Sequence, residues 1–347
     1  MPTKTNVPGA APIFSSLFFI LLATIGSDIL LDLKLLNEKS LDYFKLHILF
    51  SPLIVLTNAL SAFYIGKGKA HVVMWMALLG NTINIILDPL LIFGVSNTIP
   101  SFGILGAAIA SGAGYLVQAV ILISLFLRRK NRLKYQTLNW HFDPNLFGKV
   151  IKLGAPSAIF VTLEVSSWAF FFFLMSKVSA EHSFVTSVCQ SVAFLFFCFG
   201  LGLEKASAVV SGKVIGMNRA SDVKTVFKSG LQLIFISSIV ISLILFCVPQ
   251  LLFLQFLKDD SMIFSVDVID RFFLSKGGSV VFFLAVYLVF EYVRYLLSGI
   301  LSSAGDTFFL MVAGVLSIWA FFALPSYLLI YKGHAKVEVA LGIWSSY

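Results

Sequence analysis

Long apolar stretches recur through this sequence from near its first residue to its end. A membrane-spanning helix needs about 20 largely apolar residues, and nine segments of the chain reach that length. They cover roughly residues 13–33, 43–65, 71–94, 102–127, 153–176, 183–207, 229–257, 278–303 and 307–331, and a tenth begins in 337–347. Strands of membrane β-barrels are shorter and alternate in polarity. The pattern therefore predicts an all-α polytopic membrane protein.

The charged residues lie mainly between these stretches. They make up 12% of the chain, about half of what a soluble domain carries. The formal net charge of +8 is concentrated in short loops, which argues for contact with a lipid bilayer and against nucleic acid as a partner. The basic loops near Lys67, Arg128 and Arg219 are each separated by two spans. The positive-inside rule therefore predicts that these loops and the N-terminus are cytoplasmic.

The N-terminal segment, MPTKTNVPGAAPIF, has one Lys and no small-residue cleavage site after a short apolar core. It is interpreted as a leader into the first span, not as a removed signal peptide. The five His and three Cys residues show no metal-ligand spacing. No Ser–His–acid set and no phosphate-binding glycine loop is present. We therefore predict no enzyme activity and no cofactor.

A basic stretch divides the spans into two groups. Residues 12–127 are predicted to form an N-terminal bundle with four spans, 128–152 a cytoplasmic linker, and 153–347 a C-terminal bundle with five spans and the start of a sixth. The linker is either a short amphipathic element at the membrane interface or a solvated segment with stop-transfer charges. Pro and Gly recur 17 residues apart at 89–106 and 325–342. This faint repeat suggests two pseudo-symmetric bundles related by an axis along the membrane normal.

Two glutamates, Glu164 and Glu291, lie inside apolar runs. An ionisable side chain near the bilayer centre costs roughly 2.5–3.5 kcal/mol on insertion scales, so such residues are candidates for a functional site. Glu164 is either an ion-responsive carboxyl or a neutral carboxyl that bonds to a neighbouring helix. Glu291 follows Tyr287 by four residues and precedes Arg294 by three. It either binds a cation or substrate or forms an intrahelical pair with Arg294.

A second candidate group lies in the N-terminal half. Asn84 and Asp88 are four residues apart, so both project from one helical face. They either contribute to a proton or substrate site, or Asp88 caps backbone groups near the outer interface, where Pro89 loosens the helix. Glu204 and Lys205 are interpreted as structural residues that reach the interface from the end of their span.

Five motifs occur in the order and spacing of a known transporter family. They are GNTINIILDPLLIFGV (80–95), FGILGAAIAS (102–111), KLGAPSAIFVTLEV (152–165), GLEKASAVVSGKVIGMNRASDVK (202–224) and EYVRYLLSGILSSAGDT (291–307). Together they resemble the multidrug and toxic compound extrusion (MATE) family of cation-coupled exporters, from about residue 12 to the end. That family has twelve helices in two bundles of six. On this alignment the chain begins at the third helix and ends just inside the twelfth.

The resemblance implies a secondary transporter, expected as a monomer in a bacterial inner membrane. It would export small organic cations or drugs in exchange for protons or sodium. The residues implied are Glu164, Glu291, Asp88, Asn84 and Tyr287, with sodium as a candidate ligand of Glu164 and Glu291. Two alternatives remain. The chain could be a truncated, non-transporting remnant, or a flippase of lipid-linked sugars from the same superfamily, which would line its cavity with basic residues.

Overall fold

The computed structural model describes residues 38–95, 99–135, 137, 144–247, 266–333 and 336–346. These residues are almost entirely helical, with one isolated antiparallel bridge between Val95 and Ile99. The prediction of an all-α membrane protein is confirmed: eight described helices are long and apolar enough to cross a membrane. The predicted span 13–33, the leader and the end of the predicted span 229–257 lie outside the described residues.

The helices divide between two units, which end and begin at Lys149 and Val150, within the stretch predicted to be the linker. Four helices precede this division, and a fifth crosses it: α1 (Glu38–Gly66), α2 (Ala70–Ile92), α3 (Ile104–Phe126), the short α4 (Arg129–Tyr135) and α5 (Pro144–Val178). The helices that follow are α6 (Ala180–Gly216), α7 (Val223–Cys247), α8 (Val266–Ala304), α9 (Thr307–Ser317) and α10 (Val337–Ser346). Two π-helical stretches, Ile318–Ala323 and Ser326–Lys332, extend α9 on either side of Leu324 and Pro325.

In the first unit, α3 packs against both α1 and α2. Small residues allow this close approach, because a Cβ on Gly114 would lie 2.7 Å from the backbone oxygen of Gly80. Membrane helices have little hydrophobic drive to associate, since lipid is as apolar as a side chain, and small residues at the interface bring their backbones into contact. The Gly and Ala residues of α3 therefore determine which face of this helix is buried.

The turn after α1 is bound to the short helix α4 by Lys67. Its Nζ donates to Asn131 Oδ1 over 2.7 Å and lies 4.6 Å from the ring centroid of Tyr135. Asn131 in turn donates to the hydroxyl of Tyr64 and to the carbonyl of Leu125. Partial burial lowers the pKa of Lys67 from its usual value near 10.5, an effect that Tyr135 opposes. The described part of the predicted linker is thus a helix attached to the first unit, whereas residues 138–143 lie outside the description.

In the second unit, α8 is the central helix and packs against α6, α7 and α10. Its buried face contributes Tyr292 and Leu296, both fully buried, to an apolar core that includes Phe171 and Phe322. The crossing of α6 and α8 is tight at Gly299, where a Cβ would meet the carbonyl oxygen of Glu204 at 2.3 Å. This contact fixes the relative height of the two helices.

Replacing Gly299 by Ala should lower the thermal unfolding midpoint, because the methyl group would collide with the backbone of α6. Overpacking of this kind typically costs about 1–3 kcal/mol. Gly202→Ala on α6 is the matched control, since a Cβ there meets nothing within 4 Å and Ala favours a helix over Gly by roughly 0.5–1 kcal/mol. The measurement is loss of the monodisperse peak on heating in detergent. Equal midpoints for the two variants would contradict the proposed helix crossing.

Candidate functional site

A cavity of about 430 Å³ lies inside the second unit, lined by residues of α5, α6, α8, α9 and α10. Most of its wall is apolar or aromatic, but three carboxylates and one guanidinium also line it. They are Glu164, Glu204, Glu291 and Arg294. Ligand sites in helical membrane proteins combine apolar walls with a few convergent polar groups in this way. The cavity therefore has the size and chemistry of a small-molecule site.

Three of the four charged side chains that line the cavity form an ion-pair cluster. Arg294 donates from Nε to Glu291 Oε2 over 2.8 Å and also contacts Glu291 Oε1 through Nη2. The same Nη2 lies 3.1 Å from Glu164 Oε1 on α5. Glu291 is almost fully buried, with 5% of its side chain exposed, whereas Glu164 retains 18% and Arg294 25%. Glu164 is therefore the more accessible of the two carboxylates.

Helix periodicity brings the polar groups of α8 to one face. Tyr287, Glu291, Arg294 and Ser298 follow each other at intervals of four, three and four residues, and all four line the cavity. Side chains at such intervals lie above one another along a helix. The structure thus brings three predicted site residues, Glu164, Glu291 and Tyr287, into one cavity. Glu291 and Arg294 form the intrahelical pair that was one of the two alternatives from the sequence. Glu164 also pairs with Arg294.

Glu204 lines the cavity, whereas the sequence predicted only a structural role for it near the end of its span. Its Oε1 accepts a hydrogen bond from Ser298 Oγ over 3.4 Å. The expectation assumed that the span ends near residue 207, but α6 continues to Gly216, so Glu204 lies well inside the helix. Lys205 is exposed and does not line the cavity. An acid twelve residues before the end of a continuous helix is the signal that could have identified Glu204.

Aromatic side chains form much of the remaining wall. Trp168 contacts Phe322 at 4.5 Å and Trp344 at 5.1 Å between ring centroids, and Tyr287 contacts Trp344 at 5.8 Å. An aromatic-rich run, residues 168–173, follows Glu164 on α5. Its members differ: Trp168 lines the cavity, whereas Phe173 is 56% exposed. Such rings can contact organic cations through their faces.

The remaining two predicted residues, Asn84 and Asp88, lie together on α2 in the first unit. In the amide orientation that satisfies its neighbours, Asn84 donates to Asp88 Oδ2 over 3.2 Å and accepts from Ser111 Oγ of α3 over 3.2 Å. Among the described residues, the buried Oδ1 of Asp88 has no hydrogen-bond partner. Within the described part of the chain, this oxygen therefore caps no backbone group.

Comparison with known proteins gives matches along the chain. The profile of the MatE family matches residues 156–328. The chain is 24% identical over 355 aligned positions to "Probable multidrug resistance protein YoeA" of Bacillus subtilis, covering 98% of this chain and 73% of that protein. It is 30% identical over 171 positions to "Probable multidrug resistance protein NorM" of Rhizobium meliloti, which covers 47% of this chain and 36% of that protein.

Solved structures show the same fold. A MOP superfamily transporter from Pyrococcus furiosus superposes with a TM-score of 0.80 at 18% identity, covering 98% of this chain and 74% of that chain. An outward-facing multidrug resistance MATE family transporter superposes with a TM-score of 0.76, covering 99% and 76%. These folds and the family profile agree with the motifs in the sequence. The chain therefore belongs to the MatE family, a family of membrane transporters.

Proposed function

We propose that this protein is a secondary active transporter that exports small organic cations or drugs in exchange for protons or sodium. The observation that carries the proposal is the binding of Arg294 by Glu164 and Glu291 within the cavity. A guanidinium is itself an organic cation, so the site already holds a cation with two carboxylates and aromatic neighbours. Relatives described as multidrug resistance proteins are consistent with a substrate of this class.

Coupling would arise from competition for the same carboxylates. A proton or a sodium ion that binds Glu164 or Glu291 weakens the binding of a positively charged substrate. A bound substrate weakens the binding of the proton or sodium ion to the same extent. Tyr287 lies one turn from Glu291 and offers a hydroxyl to a bound ion. Asn84 and Asp88 would form a second ion site in the first unit. Alternating access by rearrangement of helical bundles, which is common in secondary transporters, would expose the cavity to each side in turn.

We further propose that the chain lies in a bacterial inner membrane as a monomer, with its N-terminus in the cytoplasm. The basic residues of three turns support this orientation: Lys67 and Lys69 after α1, Arg128 and Arg129 after α3, and Arg219 after α6. With the predicted span 13–33 counted, each follows an even number of crossings, so all three fall on the same side as the N-terminus. Positive residues in short loops favour the cytoplasmic side.

The cavity disfavours the flippase alternative. A site for the pyrophosphate of a lipid-linked sugar would be lined by several basic residues, since phosphate is recognised by Arg and Lys. Among the lining residues, all in the described part of the chain, Arg294 is the only basic one against three glutamates. Its guanidinium is also engaged by two of these carboxylates. The charge of the cavity thus favours cations.

Transport by the purified chain in liposomes tests the proposal. Vesicles loaded with labelled 1-methyl-4-phenylpyridinium, a small aromatic cation, should release it through the protein when an opposing proton or sodium gradient is imposed. Release should stop when an ionophore collapses the gradient, because the gradient supplies the free energy. Protein that binds neither this cation nor any other organic cation would support a non-transporting remnant instead. Separate proton and sodium gradients would identify the coupling ion.

A further inference from the structure

The cavity contains a second acidic position that the proposed cation site does not use. Glu204 on α6 is held in place by a close helix crossing, where Gly299 of α8 approaches its backbone carbonyl. Ser207 strengthens the crossing, because its hydroxyl donates to the carbonyls of Glu204 and of Leu296. The Glu204 side chain then extends into the cavity beside Ser298. Its position is therefore set by backbone contacts, not by chance orientation on a surface.

The two acidic positions are separated along α8. Ser298, which marks the height of Glu204, follows Glu291 by seven residues, and seven residues of helix span about 10 Å. The ring of Tyr295 lies between these heights, where it contacts Phe197 at 5.7 Å and lines the same cavity. The cavity thus has an acidic group at each of two levels, and between them lies the Tyr295 ring with the Arg294 guanidinium 4.7 Å from its centroid. A rigid aromatic molecule with a charge at each end has the length to reach both levels.

The formal charges of the residues that line the cavity also favour a ligand with two positive charges. Among the described lining residues, with every group counted as ionised, Glu164, Glu291 and Glu204 contribute −3 and Arg294 contributes +1, so their formal sum is −2. A bound monocation would leave one formal charge uncompensated in a low-dielectric region, which is unfavourable. A dication would balance the sum. Its first charge can approach Glu164, which is more exposed than Glu291, while the second lies beside Glu204.

We propose that this cavity prefers rigid aromatic dications, with Glu204 as the residue that binds the second positive group. The inference rests on the proposed function, because it defines the substrate class of the same cavity. The competing explanation is that Glu204 only accepts a hydrogen bond from Ser298 and stabilises the α6–α8 contact. A structural role of that kind would affect all ligands equally, whereas a binding role would affect dications alone.

Binding by the purified full chain in lipid nanodiscs distinguishes these roles. The probes are 1,1′-dimethyl-4,4′-bipyridinium and 1-methyl-4-phenylpyridinium, which have similar size and shape but carry two charges and one. Wild-type protein should bind the dication more tightly in isothermal titration. Glu204→Gln should weaken dication binding by about tenfold, as expected for a lost charge contact at low dielectric, and change monocation binding by less than about twofold.

Three further variants complete the test. Asp222→Asn, at an exposed pair with Arg219 outside the cavity, should leave both affinities unchanged. Glu204→Asp keeps the charge and should retain the preference for the dication. Ser298→Lys keeps Glu204 but supplies a cation beside it, so the preference should disappear. This last variant gives an answer even if Glu204→Gln does not fold.

The possible outcomes separate this proposal from the function on which it rests. If wild type binds both probes with equal affinity, or if Glu204→Gln weakens both to the same extent, the role of Glu204 in dication binding is overturned. Gradient-driven export of the monocation would still support the proposed function in that case. If wild type binds neither probe, both proposals fail together. A loss confined to the dication in Glu204→Gln and Ser298→Lys supports the assignment.

Discussion

Glu164→Gln and Glu291→Gln are each expected to abolish gradient-driven export of 1-methyl-4-phenylpyridinium while leaving expression and membrane insertion intact. Glutamine is close in size to glutamate but carries no charge and cannot exchange a proton at neutral pH. Each substitution therefore removes one of the two carboxylates that surround Arg294. The remaining carboxylate stays paired with the guanidinium, so neither a coupling ion nor a substrate can compete for it effectively. Proteoliposome efflux with an imposed proton or sodium gradient provides the measurement.

Two controls show whether the loss is specific to charge in the cavity. Asp222→Asn removes a partly exposed carboxylate in the turn before α7, outside the cavity, and should transport at the wild-type rate. Glu164→Asp keeps the charge but shortens the reach to Arg294, so we expect partial transport. The two glutamine variants should remain monodisperse in detergent. Full efflux by both Glu164→Gln and Glu291→Gln would show that coupling does not involve this cluster.

Arg294→Met is expected to produce the largest loss of stability among substitutions in the cavity. Met has a similar length but no charge, so Glu164 and Glu291 would face each other without the guanidinium that bridges them. Removal of one member of a buried ion-pair cluster typically costs about 3–5 kcal/mol, because a charge remains buried without compensation. The thermal unfolding midpoint in detergent at neutral pH should therefore fall clearly. Acidic pH should recover part of the loss, since protonation removes the uncompensated charge.

A double variant tests whether this loss comes from charge and not from packing. Arg294→Met combined with Glu291→Gln removes one carboxylate along with the guanidinium, and its midpoint should lie above that of Arg294→Met alone. Additive losses would instead mean that the two side chains do not interact energetically. Arg294→Lys should restore stability only in part. Lysine is a point charge without the planar fork that contacts both carboxylates at once.

The sequence alone identified the individual site residues, but it did not predict which of them contact each other across helices. Glu164 and Glu291 stand out because charge is rare within apolar stretches. Tyr287, Glu291 and Arg294 are close in sequence, so helical spacing alone placed them on one face. Glu164 precedes Arg294 by 130 positions, and no periodicity predicts a contact at that separation. The bridge between the two helices follows from how α5 and α8 are arranged around the cavity.

Arg294 and Glu204 have contacts in the structure that the sequence did not predict. The sequence left open whether Arg294 pairs with Glu291 in its own helix and predicted no contact with α5, yet its guanidinium also reaches a carboxylate on that helix. Glu204 was expected near the end of a span, but α6 extends well past it and a tight crossing brings it to the cavity. Helix ends are uncertain in sequence where polar and apolar residues mix. The predicted end at residue 207 lies nine residues before the observed end at Gly216, and this difference changed the interpretation of Glu204.

In the first unit, too, the sequence predicts a contact within one helix but not a contact between two helices. The interval between Asn84 and Asp88 is a helical turn, and their hydrogen bond follows from that spacing. Ser111, which donates to Asn84 from the next helix, depends on the register between α2 and α3. Glycines set that register, since Gly114 lies against the backbone of α2. A close backbone contact depends on both helices, so the sequence of one helix does not predict it.

By itself the sequence determined that this protein is an all-helical membrane protein, where most of its spans lie, and which family it belongs to. These properties follow from local quantities: the length of apolar stretches, the placement of basic loops and the order of short motifs. Only the tertiary structure decided which charges meet, how many acids share the cavity and which oxygen atoms stay accessible. Electrostatic interactions depend on distance in space and on burial, and neither is contained in the spacing of residues along the chain.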